Sequence, residues 1–352
     1  MKRADVVVVG SGSLATKAVY ALSQDRKFGL RVVIIARSGK KATQLAQIAN
    51  ARAGILSTAS KFEALEIAEF TAAGFSRAFR GLKPKVIFQT ASLQSPWEAA
   101  VGPNGWTKLV AAAGFGITLP LQMALTAEVS RAAGDSKAAI INGCYPDCVN
   151  VALERAGLRV TCGIGNAGIV EAFCRPHEKV KGGEVRVVGH HGQLRGWLLG
   201  NGEAVQPRIW VKKREVKAIR LSPKLESISE ELNEVTAATA LAVILTLVTG
   251  EELRMSIPGV AGLPGGYPYL VKRGNFILRL PAGISREEAM AHNRIGEQMD
   301  GLELGEGVRF GKKARAALAA AGFPYAEGFA FEEWSEAQAA TLSLQNQLRL
   351  QK

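Results

Sequence analysis

The hydrophobic pattern of the first half of the chain alternates between two kinds of segment. Short, continuous apolar runs are typical of strands in a parallel sheet buried on both faces, and they alternate with longer segments whose apolar residues have helical spacing. The predicted strands are 5–10, 30–36, 85–91, 138–143 and 159–166, and the predicted helices are 13–24, 40–53 and 117–134. This alternation predicts a doubly wound parallel sheet, an α/β domain, over residues 1–165.

The pattern changes at about residue 166. Segments 182–194, 207–221 and 269–281 look like antiparallel strands, and helical patterns cover 229–250 and 285–301. We therefore expect a second, α+β domain over 166–352 that binds substrate, with a C-terminal extension from about residue 306.

A glycine motif lies between the first predicted strand and the first predicted helix. Gly10, Gly12 and Ala15 have the spacing G-x-G-x-x-A. Glycines permit a tight turn and a close approach of the backbone to a pyrophosphate, and the helix N-terminus attracts the phosphates. The motif predicts a dinucleotide site, although an ordinary glycine turn would have the same residues. The predicted contacts are Gly10, Ser11, Gly12, Ser13, Leu14 and Ala15, with Thr90 and Ala91 after the third strand.

The end of the second predicted strand indicates which dinucleotide binds. No acidic residue occurs between Asp25 and Glu63, whereas Arg37, Ser38 and Lys41 follow the strand. A carboxylate there would bind the ribose hydroxyls of NAD, but a guanidinium and a hydroxyl suit the 2′-phosphate of NADP. We therefore expect NADP(H) as the cofactor; a basic surface loop is the alternative.

Composition narrows the classes of partner and of binding site that the protein can have. The chain has 352 residues, 47% hydrophobic and 21% charged, with a net charge of +13. It has no block of five like charges, no recognised nucleic-acid motif and no run of 18 apolar residues, so small molecules are the expected partners, with neither nucleic acid nor membrane. Four cysteines without metal-type pairing predict reduced, buried thiols in a cytoplasmic protein, and we expect no metal and a homo-oligomer.

Two adjacent histidines are the candidate acid/base. His190 and His191 lie between Gly189 and Gly192, directly after a predicted strand. Hydride transfer at a carbonyl or imine needs a proton donor, and imidazole titrates in the useful range. His191 is the first candidate; His190, or neither, remains an alternative. Side chains alternate along an extended segment, so we expect the two rings to point in opposite directions.

Residues 138–194 resemble the lactate/malate dehydrogenase superfamily. Asn142 followed by Tyr145-Pro146-Asp147 is similar to its Asn-Pro-x-Asp turn, "GIGN" (163–166) to its glycine-ended strand and "GHHG" to the turn that bears its catalytic histidine. The resemblance extends diffusely over about 1–305. It implies that His191 is the acid/base, that Arg175 binds a substrate carboxylate and that Asn142 belongs to the catalytic site.

The departures from this family concern the substrate. The family's mobile loop carries an arginine that polarises the carbonyl, but no arginine occurs between Arg80 and Arg131. Trp97 and Trp106 in that segment favour a larger, partly apolar substrate. The family's aspartate partner of the histidine is also missing, and Glu171, four residues before Arg175, either orients His191 or is a solvated helix residue.

We therefore expect an NADP-dependent oxidoreductase that transfers a hydride to or from a carbonyl or hydroxyl group. The substrate would be acidic, partly apolar and neither lactate nor malate. One alternative is an opine- or imine-type reductase that acts on a C=N bond, because a protonated imine needs no lid arginine. The other is a non-catalytic NADP-binding protein.

Overall fold

A six-stranded parallel sheet forms the first half of the protein. The computed structural model describes residues 3–134 and 136–351. The strands are β1 (Val6–Val9), β2 (Arg31–Ala36), β3 (Lys61–Glu66), β4 (Val86–Gln89), β5 (Ala139–Asn142) and β6 (Cys162–Gly163), in the order β3-β2-β1-β4-β5-β6. The helices are α1 (Ser13–Ser23), α2 (Gly39–Ile55), α3 (Ala72–Leu82), α4 (Glu98–Val101), α5 (Gly105–Ala113), α6 (Leu119–Ala133) and α7 (Pro146–Arg155). This is the strand order of a Rossmann domain, which confirms the predicted doubly wound sheet.

The central strand determines where a ligand can approach. β1 consists of four valines, all fully buried, because helices cover both faces of the sheet. It pairs with β2 on one side and β4 on the other. The direction of winding reverses between β1 and β4, so a crevice opens at their carboxyl ends.

Two small antiparallel sheets follow and confirm the predicted α+β region. One contains β7 (Val185–Val188), β8 (Arg208–Val211) and β9 (Arg214–Val216), and the other contains β10 (Leu253–Pro258), β11 (Gly266–Lys272) and β12 (Asn275–Leu278). A bridge between Gly189 and Gly266 joins them. The helices here are α8 (Ala167–Cys174), α9 (His191–Leu198), α10 (Leu232–Thr249) and α11 (Arg286–Met299), with 3₁₀ turns at Ala218–Leu221 and Val260–Gly262.

The C-terminal segment returns to the first half of the chain. It comprises β13 (Leu302–Leu304), β14 (Gly307–Phe310), α12 (Lys312–Ala320), β15 (Gly328–Ala330) and α13 (Trp334–Arg349). Trp334 and Leu344 share one core with Trp106 and Met123 of the parallel-sheet domain. The tail therefore packs on the first domain, whereas the sequence grouped it with the second.

Several elements differ from their predictions. The predicted lid segment 91–109 contains α4 and most of α5, and β3 and α3 had no prediction. β3 lies at the edge of the sheet and is mostly exposed, so its sequence lacks the apolar run of a buried strand. The "GHHG" segment begins helix α9 instead of forming a turn.

Among the described residues, α10 is the one helix long and apolar enough to span a membrane, judged by length and composition alone. It packs against α1 and α8, and Val243 and Ile244 are fully buried in the core beside the parallel sheet. Of the residues of this helix, 39% are buried inside the protein.

Candidate active site

The glycine loop after β1 lies in the crevice. Gly10 has φ +122°, and a Cβ there would lie 2.5 Å from Thr90 Oγ1, so the position requires glycine. Gly12 caps α1 without a side-chain hydrogen bond, and a Cβ at Gly12 would meet nothing within 4 Å. The first turn of α1 can therefore receive an anion, and Ala15 is fully buried beneath it.

The loops after β1, β4 and β5 meet at one edge of the sheet. Thr90 Oγ1 donates to the carbonyl of Val9 over 2.7 Å, and Cys144 Sγ contacts the carbonyl of Ala91 at 3.4 Å. Of the other predicted cofactor residues, Ser11 is half-buried beside Gly10, Leu14 approaches Gly143, and Ser13 Oγ accepts a hydrogen bond from Asn233 in α10. The structure therefore brings the predicted loop residues together.

The basic segment after β2 has an acidic neighbour. Arg37 is exposed, with its guanidinium 5.8 Å from the centre of the Phe70 ring, and Ser38 Oγ caps α2 by accepting from the Lys41 amide over 3.3 Å. A Cβ on Gly39 would lie 2.9 Å from the carboxyl carbon of Glu66, at the end of β3. Inspection of residues 26–62 alone could not detect this carboxylate.

A histidine–carboxylate pair lies across the sheet edge from the glycine loop. His191 is the first residue of α9, and its Nδ1 lies 2.8 and 3.0 Å from the two carboxylate oxygens of Asp300, directly after α11. The His191 backbone N–H donates to Asp147 Oδ1 over 3.1 Å. The His191 side chain is 30% exposed, whereas that of Asp300 is 7% exposed. The Nδ1 side of the ring is therefore held by the protein, while part of the His191 side chain remains exposed.

Aromatic side chains frame this pair. Tyr145 donates its hydroxyl to Asp300 Oδ2 over 2.9 Å, and its backbone has φ +46°, an uncommon value for an aromatic residue. The ring centres of Tyr145 and Phe115 lie 5.1 and 4.8 Å from that of His191. Tyr145 directly follows Cys144, which contacts the loop after β4, so the pair and the glycine loop share one edge of the sheet.

The pKa values of the two histidines are shifted in opposite directions by their surroundings. Burial opposes protonation of His191, but the charge of Asp300, its hydrogen bond and the charge of Asp147 together raise the pKa of His191 above its ordinary value. Burial lowers the pKa of His190 despite the same carboxylates. His191 is therefore the more readily protonated of the two rings.

The side chain of His190 is enclosed by the protein and held by its neighbours. Its side chain is fully buried, its Nδ1 accepts from the Gly192 amide, and its Nε2 lies 3.4 Å from Cys148 Sγ. A Cβ on Gly296 of α11 would overlap the Cβ of His190. Both rings lie beside the same carboxylate: Asp300 Oδ2 is 3.6 Å from His190 Nδ1 and 2.8 Å from His191 Nδ1, so the expectation that they point in opposite directions is not met. Gly192 permits the close contact between α9 and α11, because a Cβ there would lie 2.3 Å from the Gly296 carbonyl oxygen. Because α9 packs closely on α11, Asp300 at the end of α11 lies next to the His191 ring at the start of α9.

Two predicted site residues, Glu171 and Arg175, pair with each other instead of contacting His191, and a third, Asn142, is buried beneath the turn that leads to Tyr145. Glu171 accepts from the Arg175 guanidinium and from the Ser256 amide, and Arg175 also donates to the carbonyl of Arg254. The carboxylate that holds His191 is therefore Asp300, not Glu171. Asn142 is fully buried, and its amide bonds to Cys144 and Asn150 tie down the turn after β5.

The predicted lid is packed against the C-terminal tail. Trp106 is fully buried and donates to Gln94 Oε1, which also accepts from Gln345 of α13. Arg349 of α13 forms two hydrogen bonds with Glu98 at 2.8 and 2.7 Å. Trp106 is a core residue, so it cannot line a substrate pocket as the sequence suggested.

All four cysteines are buried and free. Within the described residues, no group of three or more His, Cys, Asp or Glu side chains has the arrangement of a metal site.

Solved structures share this fold at low sequence identity. Malate dehydrogenase from Cryptosporidium parvum has a TM-score of 0.55 and 12% identity, and covers 85% of this chain and 96% of its own. Malate dehydrogenase from Archaeoglobus fulgidus, in complex with NADH, has a TM-score of 0.54 and 14% identity, and the match covers 85% of this chain and 97% of that one. Lactate dehydrogenase from Eimeria maxima, with NADH and oxamate, has a TM-score of 0.53 and 14% identity, and the match covers 90% of this chain and 97% of that one. No family sequence model and no curated protein sequence matches the chain.

Proposed function

From the lactate and malate dehydrogenase fold of this chain, we propose that it is an NADP(H)-dependent oxidoreductase with His191 as its acid/base. The observation that carries the proposal is the pair formed by His191 Nδ1 and Asp300, 2.8 Å apart, in which 30% of the His191 side chain remains exposed. It lies at the carboxyl edge of the sheet, where ligands of doubly wound folds bind. The reaction would be reversible hydride transfer at a carbonyl or C=N carbon.

The residues of the crevice fit a dinucleotide. The Gly10 turn and the N-terminus of α1 would hold the pyrophosphate, because a side chain at Gly10 would strike Thr90 and the helix start lacks a side-chain cap. Arg37, Ser38 and Lys41 would hold a 2′-phosphate at the end of β2. When bound, the nicotinamide would supply or accept the hydride.

His191 would exchange the proton that accompanies the hydride. Asp300 fixes the proton of the neutral ring on Nδ1 and stabilises the imidazolium, which leaves Nε2 to face the substrate. Tyr145 donates to the same carboxylate and thereby fixes its orientation. In reduction His191 Nε2 would give a proton to the substrate oxygen or nitrogen, and in oxidation it would take one back.

The first prediction concerns cofactor preference. NADPH should bind about 10–100-fold more tightly than NADH, since one charge-assisted contact is worth roughly 1.5–3 kcal/mol. Fluorescence titration of both cofactors measures this, and Arg37→Asp should invert the order. Lys61→Asp makes the same change of charge at the start of β3, at the edge of the sheet away from the crevice. It is the control and should leave the order unchanged. Equal affinities in the wild-type protein would contradict NADP preference.

The second prediction concerns the histidines. His191→Asn and Asp300→Asn should keep NADPH affinity and lower turnover, the first by roughly 10²–10⁴-fold. His190→Asn should mainly lower stability, because its ring is buried between α9 and α11. The assay is NADPH oxidation with ketones, 2-oxo acids and amine/keto-acid pairs, followed by kinetics on the best substrate. Full turnover in His191→Asn would remove His191 as the acid/base, and no oxidation with any compound would favour the non-catalytic alternative.

A further inference from the structure

The charged groups that act on the His191 ring are carboxylates. Asp300 contacts Nδ1, and Asp147 accepts the His191 backbone N–H. Asp300 is 5% exposed and Asp147 is fully buried, so water screens them weakly. Two carboxylates and one imidazolium leave a net negative charge around the ring. The protein as a whole carries +13, so this local charge is opposite to that of the chain.

The arginine expected to bind a substrate carboxylate lies at the far end of α8. Asn166, which precedes α8, contacts Asp147 beside His191, whereas Arg175 follows the helix and pairs with Glu171 and the Arg254 carbonyl. The two positions are nine residues apart in sequence, which along a helix corresponds to roughly 13 Å. To neutralise an anion at the His191 ring, Arg175 would have to leave its ion pair with the buried Glu171 carboxylate. The lid segment has no arginine to replace it.

Two aromatic rings also lie next to the His191 ring. Phe115 is half-buried and lies 4.8 Å from the His191 ring, and Tyr145 lies at 5.1 Å on its edge. The faces of aromatic rings are negative and attract cations. Carboxylates and aromatic faces together form an environment that suits an apolar group or a cation and repels an anion.

We propose that the substrate carries no carboxylate next to its reacting carbon, and that the site takes an imine, protonated in place to an iminium, with the corresponding amine as product. This inference rests on the proposed function and specifies its substrate class. The bond between the proton and His191 Nε2 breaks as an N–H bond forms on the imine nitrogen. The reduced nicotinamide, when bound, would supply the hydride to carbon, and the C=N π pair would become the nitrogen lone pair. The imine is reduced, the cofactor is oxidised, and His191 regains its proton from water.

The test compares three five-membered rings that differ in charge: pyrrolidinium, cyclopentanone and cyclopentanecarboxylate. Each is titrated into the NADPH-saturated protein while the His191 ring resonance, assigned by comparison with His191→Asn, is followed by NMR. We expect saturable shifts with pyrrolidinium and cyclopentanone, and at least tenfold weaker binding of cyclopentanecarboxylate. Equal or tighter binding of the carboxylate would overturn the inference, as would a ring resonance that responds to none of the three.

A matched pair of variants tests the cause. Phe115→Lys adds a cation beside His191 and should reverse the preference in favour of cyclopentanecarboxylate, whereas Phe115→Leu should keep the original order. An unchanged order in a folded Phe115→Lys protein would show that local charge does not select the ligand. If NADPH itself fails to bind, the proposed function fails and this inference fails with it. If NADPH binds and the order is reversed in the wild-type protein, only the inference fails.

Discussion

At the scale of single residues, the site depends on a carboxylate that no local pattern could identify. Asp300 is 109 positions away from His191 in the chain, yet it contacts the ring at 2.8 Å. The sequence offered Glu171 because it lies four residues before Arg175 on the same helical face, and in the structure it is neither solvated nor beside His191 but is buried and paired with Arg175. It could not predict which carboxylate the packing of α9 on α11 would bring to the histidine.

Glu297 is a second buried carboxyl group on α11 and provides a test by pH. Burial raises its pKa to about 7 from an ordinary value of 4.5, against the opposing Leu304 amide and two arginines. A raised pKa favours the protonated form in the folded state. The stabilisation is therefore complete below pH 4.5 and is lost as the pH rises through 7.

We expect the wild-type protein to lose up to roughly 3 kcal/mol of unfolding free energy through Glu297 between pH 4.5 and pH 8, at 1.36 kcal/mol per pKa unit. Glu297→Gln, neutral at every pH, should not show this loss. Denaturant unfolding of both proteins at pH 5 and pH 8 measures the difference, and the other titrating groups cancel in the comparison. Glu287→Gln, exposed on the same helix, is the control. Parallel pH profiles for wild type and Glu297→Gln would refute the assignment.

At the scale of elements, the C-terminal helix holds the segment that follows β4. Arg349 and Gln345 of α13 bind Glu98 and Gln94, and the Gly105 amide donates to the carbonyl of Gln351 over 2.8 Å. The Arg349 hydrogen bonds lower the pKa of Glu98, as expected when a carboxylate is held in its charged form. The segment predicted to be a mobile lid is therefore held by the C-terminal helix at Gln94, Glu98 and Gly105.

Arg349→Gln should loosen this tether. A partly exposed ion pair of this kind contributes about 0.5–1 kcal/mol, so the amides of 92–104 should exchange with solvent deuterium roughly two- to fivefold faster. Arg315→Gln breaks another ion pair of the tail, with Glu327, and should leave 92–104 unchanged. Unaltered exchange in Arg349→Gln would mean that the buried Gln94–Gln345 contact alone holds the segment.

At the scale of the whole molecule, the two ends of the chain form one core. Trp334, Leu344 and Phe310 pack in the same cluster as Trp106, Ile117 and Met123 of the parallel-sheet domain. The sheet domain is therefore completed by residues about two hundred positions further along the chain. The second domain lies between these two parts in sequence.

A chain that ends at Gly301 should not fold normally, because it would expose the apolar faces of α5 and α6 to water. We expect loss of cooperative thermal unfolding and increased binding of a hydrophobic dye. A chain that lacks only residues 350–352 is the control and should unfold cooperatively. A soluble 1–301 protein with a sharp transition would show that the tail is dispensable for the core.

The sequence by itself determined the parts that depend on neighbouring residues. The valine run of β1, the glycine turn before α1 and the hairpin patterns of β8–β9 and β11–β12 follow from local periodicity and turn chemistry. The resemblance to lactate and malate dehydrogenases was also carried by local motifs, and the shared fold confirms it. Only the tertiary structure decided which carboxylate holds His191, where Arg175 points and that the tail completes the first domain. These features depend on contacts between residues a hundred or more positions apart, or on which face of a helix is buried, and a local pattern contains neither.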